Sequence, residues 1–171
     1  GLGVVYCFDS KLGDLIWQFD AFTRYEGKYP LWGMSENLLV DGHNLICTPG
    51  GPNASVVALN KINGDTVWTS NGLSDASGYC SPNIVEHNGN RIIATMTADY
   101  VVGVEAASGT VLWTHAHPTS SDVHAVTPVY ADGMLRFKKP ILTYWVVILS
   151  YKVLGVTLFA SRFPFLLAGC A

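Results

Sequence analysis

A ten-residue pattern occurs three times in this chain and ends each time on a tryptophan. The copies are FDSKLGDLIW (Phe8–Trp17), LNKINGDTVW (Leu59–Trp68) and VEAASGTVLW (Val104–Trp113). Their tryptophans are 51 and 45 residues apart, and three of the 5 tryptophans in the chain close the pattern. The copies align without gaps, which superimposes the motif residues Gly13, Trp17, Gly64, Trp68, Gly109 and Trp113. Such self-similarity predicts a repeat architecture.

Each copy predicts a β-hairpin. The stretches VVYCFD, SVVALN and YVVGVE are rich in β-branched residues and precede turn formers, as strands do. The motif glycine takes a positive φ at low cost, and Asp9, Asn60 or Glu105 is placed to hydrogen-bond nearby backbone. LIWQF, TVWTS and VLWTH then begin the next strand, so a tryptophan follows each turn.

A second pattern alternates with the first. SENLLVDGHNLIC, SPNIVEHNGNRIIA and TPVYADGMLRF each place two short apolar strands around a polar Gly turn, beginning at Ser35, Ser81 and Thr127, which are 46 residues apart. The repeating unit is therefore four strands in about 40–50 residues, the period of a propeller blade. No long apolar pattern of period 3.6 favours a helical solenoid here. We predict an all-β fold, a partial β-propeller of four-stranded antiparallel blades with a non-repeat apolar C-terminal tail.

These residues resemble the pyrroloquinoline quinone (PQQ) repeat. That repeat is the blade unit of quinoprotein alcohol dehydrogenases and of a similar outer-membrane assembly lipoprotein, with a motif of roughly Ala-x-Asp-x-x-Thr-Gly-x-x-x-Trp. The resemblance covers roughly residues 1–135, and residues 29–113 are most similar to PQQ-binding-like β-propeller proteins. It implies that the motif tryptophans dock between neighbouring blades. This sequence departs from the family motif at Asn60 and Glu105 in the Asp position, and at Leu12, Asn63 and Ser108 in the Thr position.

The resemblance also implies two alternative functions for the parent protein. One is a quinone-dependent, alcohol dehydrogenase-like oxidoreductase that uses PQQ with Ca²⁺ and acts on a small-molecule alcohol. The other is a non-catalytic propeller scaffold for protein interaction in the bacterial envelope. Both imply a periplasmic or secreted protein. The adjacent-cysteine disulfide and the catalytic Asp loop of quinoprotein dehydrogenases are not recognisable here, so the catalytic residues stay unknown and we expect this chain alone to be inactive.

The repeats divide the chain into five predicted segments. A propeller usually closes with 4–8 blades, whereas this sequence opens on a third strand without an initiating Met or signal peptide. We therefore expect a fragment with open sheet edges, which invite association. The segments are residues 1–28 (outer hairpin of one blade), 29–75 (a blade), 76–120 (a blade), 121–137 (the start of the next blade) and 138–171 (the apolar tail).

The tail leaves two interpretations open. No Asp or Glu follows Asp132, and residues 141–160 have the length of a membrane span, with Lys152 inside and Arg136, Lys138 and Lys139 before it. One interpretation is a membrane anchor, and with it a membrane-anchored sensor. The alternative, which we prefer, is a frame-shifted or artificial junction, because the repeat breaks inside a predicted strand, residues 134–137. A membrane is a partner only if the span is genuine.

The composition of the chain limits which partners and which kinds of site are expected. The net charge is −3 and 13% of residues are charged, with no Lys/Arg run in the repeat region, so nucleic acid is not an expected partner. The cysteines form no Cys-x-x-Cys pair, which predicts buried free thiols and no metal site. Cys7 and Cys47 form a disulfide only if the fold brings them close. The cysteines are Cys7, Cys47, Cys80 and Cys170.

Two sets of loops are candidates for the ligand face. By resemblance, these are the loops that lead into the inner strands (YPLWGMS, DASGYCS and SSDVHAVT) and those that join second to third strands (residues 48–55 and 96–100), around a concave opening. TPGGPNAS is not a phosphate loop, because the Lys and the following helix are missing. The candidate cofactor-binding residues are Trp32, Glu36, Asn37, Tyr79 and His124.

Each candidate has an ordinary alternative. Trp32 suits stacking on a planar quinone, or it simply anchors its loop. Glu36 and Asn37 are Ca²⁺-type ligands, or a solvated pair at the rim. His124 suits a base near neutral pH, or it is a plain loop histidine.

Overall fold

The computed structural model describes residues 3–52, 54–119, 124, 126–131, 133–136, 149–150 and 152–153. Within this part, one short helix, α1, spans Ala21–Tyr25, and residues 149–150 and 152–153 are also helical. All other regular structure is strand. The strands are β1 (Val4–Phe8), β2 (Leu15–Asp20), β3 (Leu39–Asp41), β4 (Asn44–Cys47), β5 (Val57–Asn60), β6 (Thr66–Thr69), β7 (Asn83–His87), β8 (Asn90–Met96), β9 (Tyr100–Glu105), β10 (Val111–Ala116), β11 (Val129–Ala131) and β12 (Met134–Arg136).

The strands form a series of antiparallel sheets in chain order. Strands β3–β6 make one four-stranded sheet and β7–β10 another, each a meander in which neighbours in sequence are neighbours in space. Before them lies the two-stranded sheet β1–β2, and after them the two-stranded sheet β11–β12. The prediction of an all-β fold with four-stranded antiparallel blades is therefore confirmed.

The third strands of the complete sheets, β5 and β9, are buried on both faces. Val57 and Leu59 of β5 pack towards β1–β2, whereas Val56 and Ala58, next to them in sequence, pack towards β7–β10. This follows from the strand period of two, which sends successive side chains to opposite faces. All four residues have no exposed surface. Burial on both faces explains why the third strands are nearly continuous apolar runs.

The sheets are joined by contacts between a tryptophan of one repeat and the turn of the next. Trp17 donates its Nε1–H to the carbonyl of Lys61 at 3.2 Å, and Trp68 donates to the carbonyl of Ala106 at 3.2 Å. Lys61 and Ala106 occupy the same motif position in successive copies. Each indole therefore uses its apolar rings for packing while its N–H stays bonded, as a buried Trp requires.

The motif glycines provide the room for these indoles. A Cβ on Gly64 would lie 2.8 Å from Cε3 of Trp17, and a Cβ on Gly109 would lie 2.5 Å from Cε3 of Trp68. Both glycines also have φ of +78°, which disfavours other residues. Glycine is needed here for two reasons, the left-handed turn and the close approach of the preceding blade.

The turns are built alike in all three copies. The glycine N–H donates to the carbonyl four residues earlier, which is that of Asp9, Asn60 or Glu105. The Asp9 carboxylate accepts N–H bonds from Lys11 and Leu12, each at 2.8 Å, and this lowers the pKa of Asp9. The Asn60 side chain accepts from Ile62 at 2.9 Å. Short acceptor side chains thus fix the turn from within.

Most of the tail, residues 138–171, lies outside the described residues, as does most of the predicted span at 141–160. In the described part of the chain, no helix is long and apolar enough to cross a membrane. The predicted segment limits stay a prediction.

We expect Gly109→Ala to destabilise the fold well beyond the cost of the left-handed turn alone. The added methyl meets the Trp68 ring, and overpacking of this kind typically costs about 1–3 kcal/mol. Gly42→Ala is the matched control, because Gly42 has φ of +59° but nothing within 4 Å of a Cβ. Urea unfolding of both variants measures the difference, and equal losses of stability would show that the indole contact is not tight.

Candidate functional site

Trp32 and Tyr79 meet at the face where the chain enters successive inner strands. The Trp32 backbone N–H donates to the Tyr79 hydroxyl at 3.0 Å, and the ring centroids are 6.0 Å apart with a 50° tilt. The Ser35 hydroxyl donates to the Tyr79 carbonyl at 3.3 Å. These two candidates therefore form one aromatic pair across two successive loops.

Trp32 lies in a tight turn that is held from several sides. The Gly33 N–H donates to the Pro30 carbonyl at 2.9 Å, which closes the turn. Tyr29, just before it, stacks on Phe22 of α1 with ring centroids 4.7 Å apart and 11° between planes. Leu31 and Trp32 nevertheless remain 80% and 67% exposed. We call Pro30–Gly33 the rim turn; it displays two large apolar side chains on a restrained backbone.

Glu36 turns inward. Both of its carboxylate oxygens accept hydrogen bonds from Thr48, one from the backbone N–H at 2.9 Å and the other from the hydroxyl. Burial raises the pKa of Glu36 to about 7, and the two bonds from Thr48 oppose this rise without cancelling it. The carboxyl also borders a cavity of about 190 Å³ whose walls include Met34, Phe22 and Cys47.

The other two candidates have separate partners. The Asn37 backbone N–H donates to the Ser81 hydroxyl at 2.8 Å, which ties its segment to the next inner strand. His124 is buried, with 4% of its surface exposed, and its Nε2 lies 2.8 Å from the Ala98 carbonyl. The His124 ring is 5.4 Å from that of His117. The five candidates thus divide into an aromatic pair and three residues with different surroundings.

The residues predicted to hold Ca²⁺ beside PQQ do not make a ligand set. Ca²⁺ takes six to eight oxygen ligands, whereas the Glu36 oxygens are both engaged by Thr48 and Asn37 lies on an exposed stretch. Over the described ranges, no three His, Cys, Asp or Glu side chains are grouped to hold a metal ion. Glu36 and Asn37 therefore do not form the Ca²⁺ ligand set that the resemblance implies, whereas the proposed contacts of Trp32, Tyr79 and His124 with a quinone stay a prediction.

A larger cavity of about 570 Å³ opens between the loops of the predicted ligand face, and its charged wall was not predicted. Glu26, Lys28, Asp75 and Asp99 line it, together with Gly50 and other loop residues. Both Asp75 oxygens accept backbone bonds, from Ala76 at 2.9 Å and from Asp99 at 2.8 Å. Three carboxylates against one ammonium favour a cationic or neutral occupant over an anion. Polar residues are common in loops, so no signal in the sequence distinguishes these.

The described cysteines are free thiols. Cys47 and Cys80 are buried, and burial raises the pKa of both thiols, with a smaller rise from the nearby Glu36 carboxylate. Both thiols are therefore protonated and unreactive at neutral pH.

The raised pKa of Glu36 predicts a pH-dependent stability. A carboxyl whose pKa is higher in the folded state stabilises the fold fully below its unfolded pKa of 4.5 and loses this contribution as the pH rises through about 7. Glu36→Gln keeps the shape and an oxygen acceptor but cannot ionise. We expect it to match the natural chain at pH 4 and to be roughly 2–3 kcal/mol more stable at pH 8.

Urea unfolding at several pH values measures this difference. Glu86→Gln is the matched control, because the Glu86 side chain is 73% exposed. If the curves of the natural chain and of Glu36→Gln run parallel from pH 4 to pH 8, the Glu36 carboxyl is not desolvated.

Comparison with known proteins places this fold. Residues 1–139 match the family model described as outer membrane protein assembly factor BamB. An uncharacterized protein of Aquifex aeolicus (strain VF5) is 48% identical over 44 residues, which are 26% of this chain and 9% of that protein. The crystal structure of BamB from Moraxella catarrhalis is similar with a TM-score of 0.51 and 15% identity over 78% of this chain and 40% of that chain.

A second solved structure has a lower score. Quinohemoprotein alcohol dehydrogenase from Comamonas testosteroni has a TM-score of 0.44 and 21% identity, over 66% of this chain and 18% of that chain. The chain thus spans less than half the length of these relatives. Because the family model matches most of its residues, the chain belongs to the PQQ-like β-propeller family of outer membrane protein assembly factor BamB.

Proposed function

We propose that the parent protein is a non-catalytic propeller scaffold of the bacterial envelope, and that the rim turn binds an apolar segment of a partner protein. The observation that carries this proposal is the exposure of Leu31 and Trp32 on a backbone restrained by three contacts. Membership of a family described as an assembly factor agrees with it.

The exposed side chains resemble a binding hot spot. Large apolar side chains that stay in water are costly to display, and grouped exposure of this kind marks interaction surfaces. Trp is the residue type most enriched among energetically dominant interface positions. Leu31 and Trp32 lie next to each other at the tip of the rim turn, so one apolar segment covers both.

The restraints on the backbone of the rim turn also favour binding of a partner there. A flexible loop loses conformational entropy when it binds, and this loss subtracts from affinity. Here the Pro30–Gly33 bond, the stacking of Tyr29 on Phe22 and the bond from Trp32 to Tyr79 already fix the backbone. A preorganised aromatic tip therefore binds with little further ordering.

Peptides selected from a random library against the natural chain provide the test. We expect selection of sequences rich in aromatic and aliphatic residues, and Trp32→Ala to raise their Kd by at least about tenfold, or 1.4 kcal/mol. Ile62→Ala is the matched control, because Ile62 is 64% exposed on the turn between β5 and β6. Fluorescence polarisation gives the Kd values. Equal binding by Trp32→Ala and the natural chain would refute the rim turn as the binding surface.

The second candidate is the quinone-dependent oxidoreductase acting on an alcohol, with PQQ and Ca²⁺. The volume of the cavity, about 570 Å³, supports this candidate, because small-molecule sites usually measure about 300–1,000 Å³. The excess of carboxylates on its wall opposes an anionic quinone unless a cation is bound with it. Dye reduction by the full-length parent with PQQ, Ca²⁺ and an alcohol tests this candidate, and a protein that neither retains quinone nor turns over eliminates it.

A further inference from the structure

The chain contains three Asn-Gly sequences, and the structure places them in different surroundings. They are residues 63–64, 71–72 and 88–89. Asn is a thermolabile residue, because its side-chain carbonyl carbon can be attacked by the backbone nitrogen of the residue that follows. A glycine in that place has no Cβ to shield its nitrogen. The three sequences are equivalent in this respect, so their hydrogen bonds in the folded protein decide which of them reacts.

The Asn63 carboxamide is bonded at both ends to Asp65. Its Nδ2–H donates to the Asp65 carboxylate at 2.7 Å, and its Oδ1 accepts from the Asp65 N–H at 3.1 Å. The Gly64 N–H donates to the Asn60 carbonyl at 2.8 Å. Gly64 is also buried against the Trp17 ring. Because both reacting groups are already engaged, the fold protects Asn63.

Asn88 is restrained by one contact. It lies with Gly89 in the exposed turn between β7 and β8, where His87 pairs with Asn90. The Asn88 Nδ2 is 3.1 Å from Nε2 of His87. This contact holds the carboxamide beside the residue before it, whereas the reaction requires it to approach the nitrogen of the residue after it. We therefore expect Asn88 to react more slowly than an unrestrained Asn.

Asn71 carries no such restraint. It follows β6, and both Asn71 and Gly72 are exposed. Among the residues that the structure describes, neither the Asn71 carboxamide nor the Gly72 N–H has a hydrogen-bond partner. A Cβ built on Gly72 would meet nothing within 4 Å, so the space around this residue is open. The two reacting groups are thus free to approach each other at this position.

We propose that Asn71 is a site of deamidation in the folded protein, and that the isoaspartate formed there loosens the contact between the two complete sheets. The Gly72 nitrogen gives its proton to a water-derived base and bonds to Cγ of Asn71. The Cγ–Nδ2 bond breaks, and Nδ2 takes up a proton and leaves as ammonia. Water then opens the cyclic imide, at Cγ to give aspartate or at the main-chain carbonyl to give isoaspartate. Water is the only co-reactant, and nothing is oxidised or reduced.

The position of Asn71 makes this change consequential. Its N–H donates to the Gly109 carbonyl at 3.2 Å, and a parallel bridge joins Asn71 to Thr110. Gly109 is the glycine that makes room for Trp68. Isoaspartate lengthens the main chain by one methylene and adds a carboxylate. Both changes fall beside the turn that sets how the β3–β6 sheet meets the β7–β10 sheet.

Peptide mapping of the natural chain, incubated in its folded state at mildly alkaline pH, compares the three rates. Trypsin releases all three sequences in one peptide, residues 62–91, because no Lys or Arg lies between Lys61 and Arg91. Fragment masses locate each deamidation within that peptide. A hydrogen bond of ordinary strength that must break first slows a reaction by about fivefold. We expect Asn71 to react faster than Asn88 by about this factor, and Asn63 to be the slowest.

The unfolded chain is the control for the effect of the fold. In concentrated urea the three surroundings are lost, and the three sequences should react at similar rates because Gly follows each Asn. Asp65→Ala removes the carboxylate that holds the Asn63 Nδ2–H, so it should accelerate Asn63 without changing Asn71. Equal rates in the folded chain, or a faster reaction at Asn63 or Asn88 than at Asn71, would overturn the proposed site.

Urea unfolding before and after incubation tests the loosened contact. Enzymatic methylation of isoaspartate distinguishes it from aspartate, which has the same mass. The unfolding midpoint of the natural chain should fall as isoaspartate accumulates at position 71. Asn71→Gln should keep its midpoint, because Gln would have to form a larger ring, and circular dichroism checks that this variant is folded at the start. A constant midpoint in a natural chain that has gained isoaspartate at position 71 would refute the loosening.

Discussion

The contact between an indole and the glycine turn of the next repeat determines how the sheets of this protein associate. Apolar faces alone do not determine the register at which two four-stranded sheets pack against each other. The indole sets that register, because its rings need the space above a glycine and its N–H needs the carbonyl three residues before that glycine. Trp17 on Gly64 and Trp68 on Gly109 meet both needs with the same atoms. The blades are therefore positioned by a repeated local fit rather than by general apolar contact.

The repetition of this contact explains why the fold class could be predicted from the sequence. Strands, turns and their order depend on residues close together in the chain, and the same pattern appears three times, so each copy supports the interpretation of the others. The contacts between blades were harder to predict from the sequence. The sequence places Gly64 and Trp68 in one motif, whereas in the structure each serves a different neighbour. A motif shows which residues recur but not which copies touch.

The candidate site was harder to predict because its contacts are not local. Glu36 was expected at an open rim, but Thr48, twelve positions later and just after β4, turns its carboxyl inward. His124 was proposed as a base or a plain loop histidine, and in the structure it is buried, with its Nε2 beside a carbonyl of the β8–β9 connection. The aromatic pair of Trp32 and Tyr79 joins two loops whose sequences differ. In each case the deciding partner lies on another strand or blade, where single-sequence patterns carry no information.

The proposed function places recognition on elements other than those that hold the sheets together. The glycine turns and motif tryptophans lie at the strand ends where the hairpins close, and their side chains are committed to neighbouring blades. The loops that enter the inner strands carry no motif glycine or tryptophan, although they also hydrogen-bond from one repeat to the next. Leu31 and Trp32 remain in water on such a loop, while Gly78, which aligns with Trp32 in the next repeat, is enclosed against the Met96 carbonyl. Equivalent loops of the repeated scaffold thus differ in exposure, and the binding surface that we propose uses a position at which the fold does not require a buried residue.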